Sequence, residues 1–505
     1  MNETGVGASR PPFSRPAFSH LGPRVFRHRV VIFALPPLAQ AAFGVLATRM
    51  VARFRKAALL AGFASFLAAA SGNAAEPAPQ RVLYADATVI DGTGTPARAH
   101  QDILVEGERI LAVGPHGSLP AGTARSVDLA GRWVIPGLID THVHMATPPN
   151  PSRAQGELRR MVYGGVTSVR DMADDLRSVS ELARASLVGE IPGPDIYSAA
   201  VMAGPPFFGD PRVNAVSMGY KAGTAPWAQA IDEKTDIPTA ITLARGTGAT
   251  AIKIYADLPA NLIAALTAEA HRQGLMVWAH SAVFPTRPAD VIAAGVDVVS
   301  HACYLAYQLE PVMLASYEDH TPVHENLLAK KGDDPVIAGL YKAMLAKGTI
   351  VDATGGLFVR YDKLRKEKPE IRPLRCTGTT TARLVRQAWK AGVPVSAGTD
   401  FEADVSSPWP ALYDELDFLA RDVGMPPLEV IHSATLVGAQ AAGQAKNTGS
   451  VEAGKLANFV VLAADPTKDI GNVRTITLTV KRGKAFARTD YKPVTVEEMG
   501  TGDED

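Results

Sequence analysis

This 505-residue chain predicts an α/β fold: a (β/α)8 TIM barrel carrying a small β-sandwich domain formed by both chain ends. Between Pro136 and about Gly443, short apolar runs alternate with amphipathic stretches of helical period. On both sides of that middle, short alternating strands broken by glycine turns appear instead. A doubly wound open sheet is the structural rival, and the lack of a Gly-x-Gly-x-x-Gly after any early strand removes its main support.

The N-terminal part reads as targeting. Residues 1–49 are rich in Arg and Pro, are interrupted by Pro36-Pro37, and are expected to be a non-native or disordered extension, with Met50 as the natural start. Val30 to Leu46 is a poor membrane anchor, given that proline pair and its length. Residues 50–75 fit a signal peptide: Arg53, Arg55 and Lys56, an apolar run over 57–70, and a small-residue cleavage site near Ala74 or Ala75. The expected location is periplasmic or secreted, with no stable membrane span once the signal is removed.

Residues 76–135 are expected to form the first part of the sandwich, with strands over 103–113 folding about Gly107. The matching texture returns over 444–492, in the apolar run 458–462 and in 477–480 turning through Lys481-Arg482-Gly483-Lys484. Neither part has enough apolar surface for its own core, so one domain built from both is the economical reading. The barrel over 136–443 is then an insert, and 493–505 a tail. Its strands are expected at 137–140, 167–170, 195–199, 251–255, 276–279, 296–300, 350–354 and 394–397.

Composition limits the partners. Lys+Arg and Asp+Glu both total 51, so no net field or long basic run favours nucleic acid, and a small-molecule substrate is expected. A homo-oligomer stays open. Cys303 and Cys376 lack the paired spacing of a zinc knuckle and read as buried thiols, although an oxidising compartment permits one bridge.

In a barrel the carboxyl ends of the strands face the active site. Those ends carry His142 and His144 on strand one, Lys253 in strand four, His280 after strand five, His301 after strand six and Asp400 after strand eight. The His-x-His pair matters because residues two apart on a strand share a face and can grip one metal. Alone, any of these histidines is more often a satisfied core residue, and Asp400 more often an N-cap. Lys253 is the sharpest signal. Flanked by Ile252 and Ile254, it points inward, where a bare ammonium is costly unless paired or deprotonated. A deprotonated lysine reacts with carbon dioxide to give a carbamate able to bridge two metals; the bland alternative is an ion pair with a carboxylate.

These residues and their settings resemble the amidohydrolase superfamily, most closely its imidazolonepropionase-like and Xaa-Pro dipeptidase-like branch. The matching stretches are the run 134–144, Gly165-Val166-Thr167-Ser168-Val169-Arg170-Asp171, Ala251-Ile252-Lys253-Ile254, Ala279-His280, Ser300-His301, Ala397-Gly398-Thr399-Asp400 and Gly454-Lys455-Leu456-Ala457-Asn458, together covering about 82–490. The resemblance implies two divalent metal ions, usually zinc. His142, His144 and Asp400 would hold one, His280 and His301 the other, with N6-carboxylysine at Lys253 between them. It further implies a metal-bridging hydroxide that attacks a carbonyl, with Asp400 moving the proton to the leaving group.

The substrate side is less defined. The branch's glycine-rich loop after the strand-four lysine is replaced by Tyr255-Ala256-Asp257-Leu258-Pro259, and its Gly-Gly-His segment by Met202-Ala203-Gly204-Pro205-Pro206-Phe207-Phe208-Gly209, which puts a dipeptide substrate in doubt. Long loops over 304–336 and 355–378 carry Tyr304, Tyr307, Phe358 and Tyr361, which with Phe207 and Phe208 either line an apolar site or pack as core. Tyr255 shares the face of Lys253 and is positioned to donate to a substrate carbonyl as a catalytic residue. Arg360 is placed either to hold a substrate carboxylate or, more simply, in solvent. His320 and His324 read as exposed, and His432 as a helix cap or core residue. The leading function is hydrolysis of a C–N bond in an amide, peptide or cyclic amide, as in a dipeptidase or an N-acyl amino acid or aryl amide hydrolase. The alternatives are a lactonase or esterase, a mononuclear deaminase of the same fold, and a metal-free scaffold.

Overall fold

The computed structural model describes residues 80–500. The expected extension over 1–49, the signal peptide over 50–75 and the last five residues of the tail lie outside the described residues. Eight parallel strands form the barrel: β1 Leu138–Val143, β2 Val166–Asp171, β3 Asp195–Ala203, β4 Ala251–Ile254, β5 Met276–His280, β6 Val298–Ser300, β7 Ile350–Asp352 and β8 Val395–Ser396. All eight fall on the runs predicted for them. They pair in chain order from β1 to β8. Backbone bonds from Thr141 N to Ala397 O (2.9 Å) and from Asp400 N to His142 O (2.8 Å) join the last strand to the first.

Parallel neighbours need crossovers, and the sequence marks where these begin and end. Helix Pro151–Tyr163 starts at Asn150, whose side chain accepts from Arg153 N, with proline in the first turn. Loss of that cap costs about 1 kcal/mol. Helix Leu176–Val188 is capped by Asp175 and stops at Gly189, which takes a left-handed φ of 80°.

Alternation along each strand then sorts the barrel interior into layers. Ala251, Trp278, Val298 and Ile350 pack together as an apolar floor. Two residues further along the same faces stand Lys253, His280, Ser300 and Asp352. Pairing register sets His280 beside Ser300, Ser300 beside Asp352 and Asp352 beside Ser396, so the polar layer is level across strands. Two residues per strand thus separate a dry core from the chemistry.

Strands from both chain ends build one second sheet of eight strands. Trp133–Pro136, which runs directly into β1, pairs antiparallel with Phe459–Leu462 and so joins the two ends. This sheet encloses its own core, in which Tyr84 meets Phe459 edge-on at 5.0 Å beside Val105, Val134, Val461 and Val480. Among the described residues, no helix is long and apolar enough to cross a membrane.

Three segments differ from expectation. The stretch over 355–378, read as a loop, opens with helix Gly355–Glu367. Its charge-rich, doubly glycine-headed sequence hides the helical signal, and Phe358 is buried in the core rather than facing a substrate. Between β3 and β4 an unforeseen hairpin, Thr224–Ala225 with Ala228–Ala230, adds a strand beside the end of β3. It is too short to show periodicity. The two cysteines, read as buried thiols with a single bridge left open, are joined in a Cys303–Cys376 disulfide with Cα atoms 6.1 Å apart.

Candidate metal centre

At the carboxyl rim, ligand-type atoms of His142, His301 and Asp400 all lie within 4.8 Å of one another. Nε2 of His142 is 3.5 Å, and Nε2 of His144 3.4 Å, from Oδ1 of Asp400, while Nε2 of His301 is 3.8 Å from its Oδ2. His280 lies just outside this group, its ring 4.8 Å from that of His301. Lys253 is fully buried at the same rim. His301 and Asp400 both take left-handed backbone (φ 67° and 58°), as does Thr354 at the β7 tip (48°). Non-glycine residues held there mark strain that the surroundings must sustain. Gly398 is required beside them: a Cβ there would stand 2.2 Å from Oδ1 of Asp352 and 2.8 Å from the His142 Cβ.

Three of the imidazoles are fixed by their far nitrogen. Nδ1 of His142 donates to Asp352 (2.9 Å) and Nδ1 of His144 to Asp174 (2.7 Å), and Nδ1 of His301 bonds the Thr354 hydroxyl at 2.9 Å. Each bond leaves Nε2 turned toward Asp400, with its lone pair available where the carboxylate holds the Nδ1 proton. Asp352 also accepts from Thr141 (2.8 Å), Ser300 (2.9 Å) and Arg170 (3.1 Å). Arg170 is itself fully buried, 4.5 Å over the Trp278 ring, and donates to Thr141 O at 2.7 Å. By contrast, Nζ of Lys253 and Nδ1 of His280 are buried with no hydrogen-bond partner.

Electrostatics follow this geometry. Burial pushes the Lys253 ammonium down to about 7 and the His301 imidazole to about 3, and holds His280 well below its usual range. Burial acts the same way on His144, but Asp174 and Asp400 overcome it and raise that imidazole. Burial would raise Asp400, yet His142, His144 and His301 hold its carboxyl far below the ordinary carboxylate range. Imidazoles of His280 and His301 kept neutral by burial, a carboxylate kept ionised and two orphaned polar atoms suit divalent cations, so these residues fit such ions, and His144, raised by its two carboxylates, would give up its proton on joining them.

A cavity of about 460 Å³ opens over this cluster, bordered by His144, His301, Asp400, Tyr255, Phe207 and Tyr304. Tyr255 follows β4, stacks on Phe207 at 4.4 Å, and is kept protonated by burial. Tyr361 lines the same cavity. Phe208 packs edge-on against Phe207 (5.6 Å), and the Tyr307 hydroxyl turns away to Thr321 O (2.6 Å). Arg360 lies on a helix and is paired with Asp404 at 2.8 Å. His324 pairs with Glu310, and His432 donates to Gly92 O across to the second sheet. Sequence reasoning missed Asp352, Asp174, Thr354 and Tyr317. Asp352 carried the same signal as Asp400, a carboxylate at the tip of an apolar strand.

The model of the amidohydrolase family matches residues 133–486. Imidazolonepropionase of Klebsiella pneumoniae subsp. pneumoniae is 24% identical over 385 residues, covering 72% of this chain and 86% of that protein. Among solved structures, a Xaa-Pro dipeptidase superposes with a TM-score of 0.62 at 19% identity, over 81% of this chain and 100% of the other. Ochratoxinase from A. niger gives 0.63 at 20% identity, over 81% and 96%. With most of its length matched and the same barrel beneath the cluster, this chain belongs to the amidohydrolase family and is a hydrolase.

Proposed function

We propose that this chain is a metal-dependent amidohydrolase that cleaves a C–N bond in an amide, peptide or cyclic amide. The observation carrying this is the convergence of His142, His144, His301 and Asp400 beside two buried polar groups, Lys253 and His280, that lack protein partners. His142, His144 and Asp400 would hold one divalent ion, and His280 and His301 a second, with Lys253 as N6-carboxylysine between them and zinc as the expected metal. Bound, such ions polarise the scissile carbonyl and bring the pKa of water near neutrality. Asp400, kept ionised and open to the cavity, takes the proton of the attacking water and gives it to the leaving nitrogen. The Tyr255 hydroxyl donates to the carbonyl oxygen as negative charge develops there. The aromatic lining favours an apolar acyl or amino side chain, as in N-acyl amino acids, dipeptides or aryl amides.

Metal analysis of the purified protein separates the readings: two ions per chain for this one, one for a deaminase, none for a scaffold. Hydrolysis of lactones or phosphoesters, with every amide untouched, overturns the bond assignment and spares the site. The segment over 50–75 and the Cys303–Cys376 bridge together support export to an oxidising compartment. Sequencing the N-terminus of protein recovered outside the cytoplasm tests this, and a mature start at Met50 refutes it.

A further inference from the structure

The helix that follows β1, Pro151–Tyr163, carries Arg153, Glu157 and Arg160 on one stripe, since residues spaced by three or four share a helix face. That stripe meets the segment that follows Asp400. Over 401–409 the chain is neither helix nor strand, and among the described residues one backbone–backbone bond is found inside it, Ser407 N to Asp404 O at 2.9 Å. Its path is therefore set largely by side chains. Arg160, fully buried, donates through Nη1 to Asp404 O at 2.8 Å and Ala403 O at 3.2 Å, while its Nη2 lies 3.0 Å from the Glu157 carboxylate. Nε of Arg153 donates to Oε2 of Glu402 at 3.0 Å, and Arg360 reaches Asp404 from a second helix at 2.8 Å.

The same two elements wall the candidate metal centre. Arg153, Glu157 and Met161 line its cavity on the helix side, and Phe401, Glu402 and Ala403 on the loop side. The helix follows the strand of His142 and His144, and the loop leaves Asp400, so the stripe joins the carriers of the three ligands proposed for one ion. Asp400 sits at a left-handed φ of 58°, a setting that its neighbours must sustain. His142 O holds its amide at 2.8 Å, and Arg160 holds the chain three and four residues further on. Burying a guanidinium costs desolvation that an apolar side chain of like size would avoid; what the arginine adds is two directed bonds to the loop.

We infer that Arg160 and Arg153 are positioning residues: Arg160 sets the loop that keeps Asp400 in line for proton transfer, and Arg153 with Glu402 latches that loop at the edge of the cavity. The effect on rate rests on the proposed role of Asp400 in amide hydrolysis, and the grip on the loop rests on these contacts alone.

Two readouts on the full chain with its metals test this: chymotryptic cleavage after Phe401, located by mass spectrometry, and turnover of L-phenylalanine 4-nitroanilide, an aryl amide. The wild type is expected to resist the cut. Arg160→Lys keeps the charge but loses the planar fork, and Arg153→Gln loses the latch. Each should be cut at least about 10-fold faster, with melting temperature and metal content at the wild-type level. In turnover, Arg160→Lys should lower kcat about 10- to 100-fold and change KM less than about twofold, as expected for a displacement of about 1 Å at a reacting group. Arg153→Gln, Glu402→Gln and the double variant should be cut at similar rates, because the pair acts as one unit.

A loop that stays uncut in Arg160→Lys and Arg153→Gln overturns the grip, and additive effects at Arg153 and Glu402 overturn the latch. New cuts throughout the barrel with a lowered melt also overturn the proposal, since the arginines then serve general stability. An unchanged kcat in a variant whose loop is cut overturns the link to Asp400. Should Arg160→Lys fail to fold, the partly exposed Arg153 and Glu402 decide by the same two readouts. The expected cleavage pattern with no turnover of the anilide supports the grip and counts against the amide reading alone.

Discussion

The two sides of the candidate metal centre are built differently. On one side His142, His144 and His301 each have a second bond that fixes the ring, through Asp352, Asp174 and Thr354. On the other, Lys253 and His280 end in buried atoms with nothing to bond. A buried polar atom left unpaired costs about 1–3 kcal/mol, so the second side is a deficit that a ligand must relieve, while the first is already set without one. The difference teaches where order comes from: protein partners orient half of the site, and the proposed ions and carbamate would complete the rest.

The largest effect is expected where both sides meet. Asp400→Asn keeps the shape and removes the proton carrier, and should lower kcat/KM by about 1,000- to 10,000-fold, with less metal retained, as read by steady-state kinetics and metal analysis. Near-normal turnover would remove Asp400 from the chemistry. Next comes the unpartnered side. Lys253→Ala should leave fewer than two ions per chain and reduce activity by more than the 10- to 100-fold typical of losing an outer partner. Propionate should restore part of it, and mass spectrometry of the wild type should find one added carbon dioxide at Lys253. A pair of firmly bound ions in Lys253→Ala would erase the contrast between the sides.

The smallest effects belong to the fixed side. Asp174→Asn and Asp352→Asn should weaken metal binding about 10- to 100-fold and leave the barrel folded. Asp352 also carries a pH signature. Burial would raise its carboxyl, but the bond from His142 and the Arg170 charge hold it at about 2. A carboxyl held below its unfolded value of about 3.9 contributes stability above that pH and loses it as pH falls toward 2. The melting-temperature gap between wild type and Asp352→Asn should therefore be widest near pH 5 and close toward pH 2. A gap that does not change with pH would mean that Asp352 acts through shape alone.

The fold was legible because each barrel strand is an apolar run bounded by turns, and the strand-end rule then placed His142, His144, His280, His301 and Asp400 together. Lys253 was legible because a lysine between two isoleucines breaks its own local pattern. What escaped was what depends on distant pairing. Arg170 and Asp352 meet across 182 positions, and no window around either shows that the other will neutralise it. The helix over Gly355–Glu367 escaped for a different reason: its core face is narrow, with Phe358 the one large buried side chain, and charges fill the remainder.

The bonds that close the barrel, Thr141 to Ala397 and Asp400 to His142, fall at the candidate ligands themselves. The seam of the cylinder and the grip on the ion are therefore one place, and an ion seated between His142 and Asp400 would act as a clasp on a circuit of some 260 residues of chain. Whatever holds that clasp shut resists unravelling of the whole ring, so occupancy and the lifetime of the folded barrel would rise and fall together.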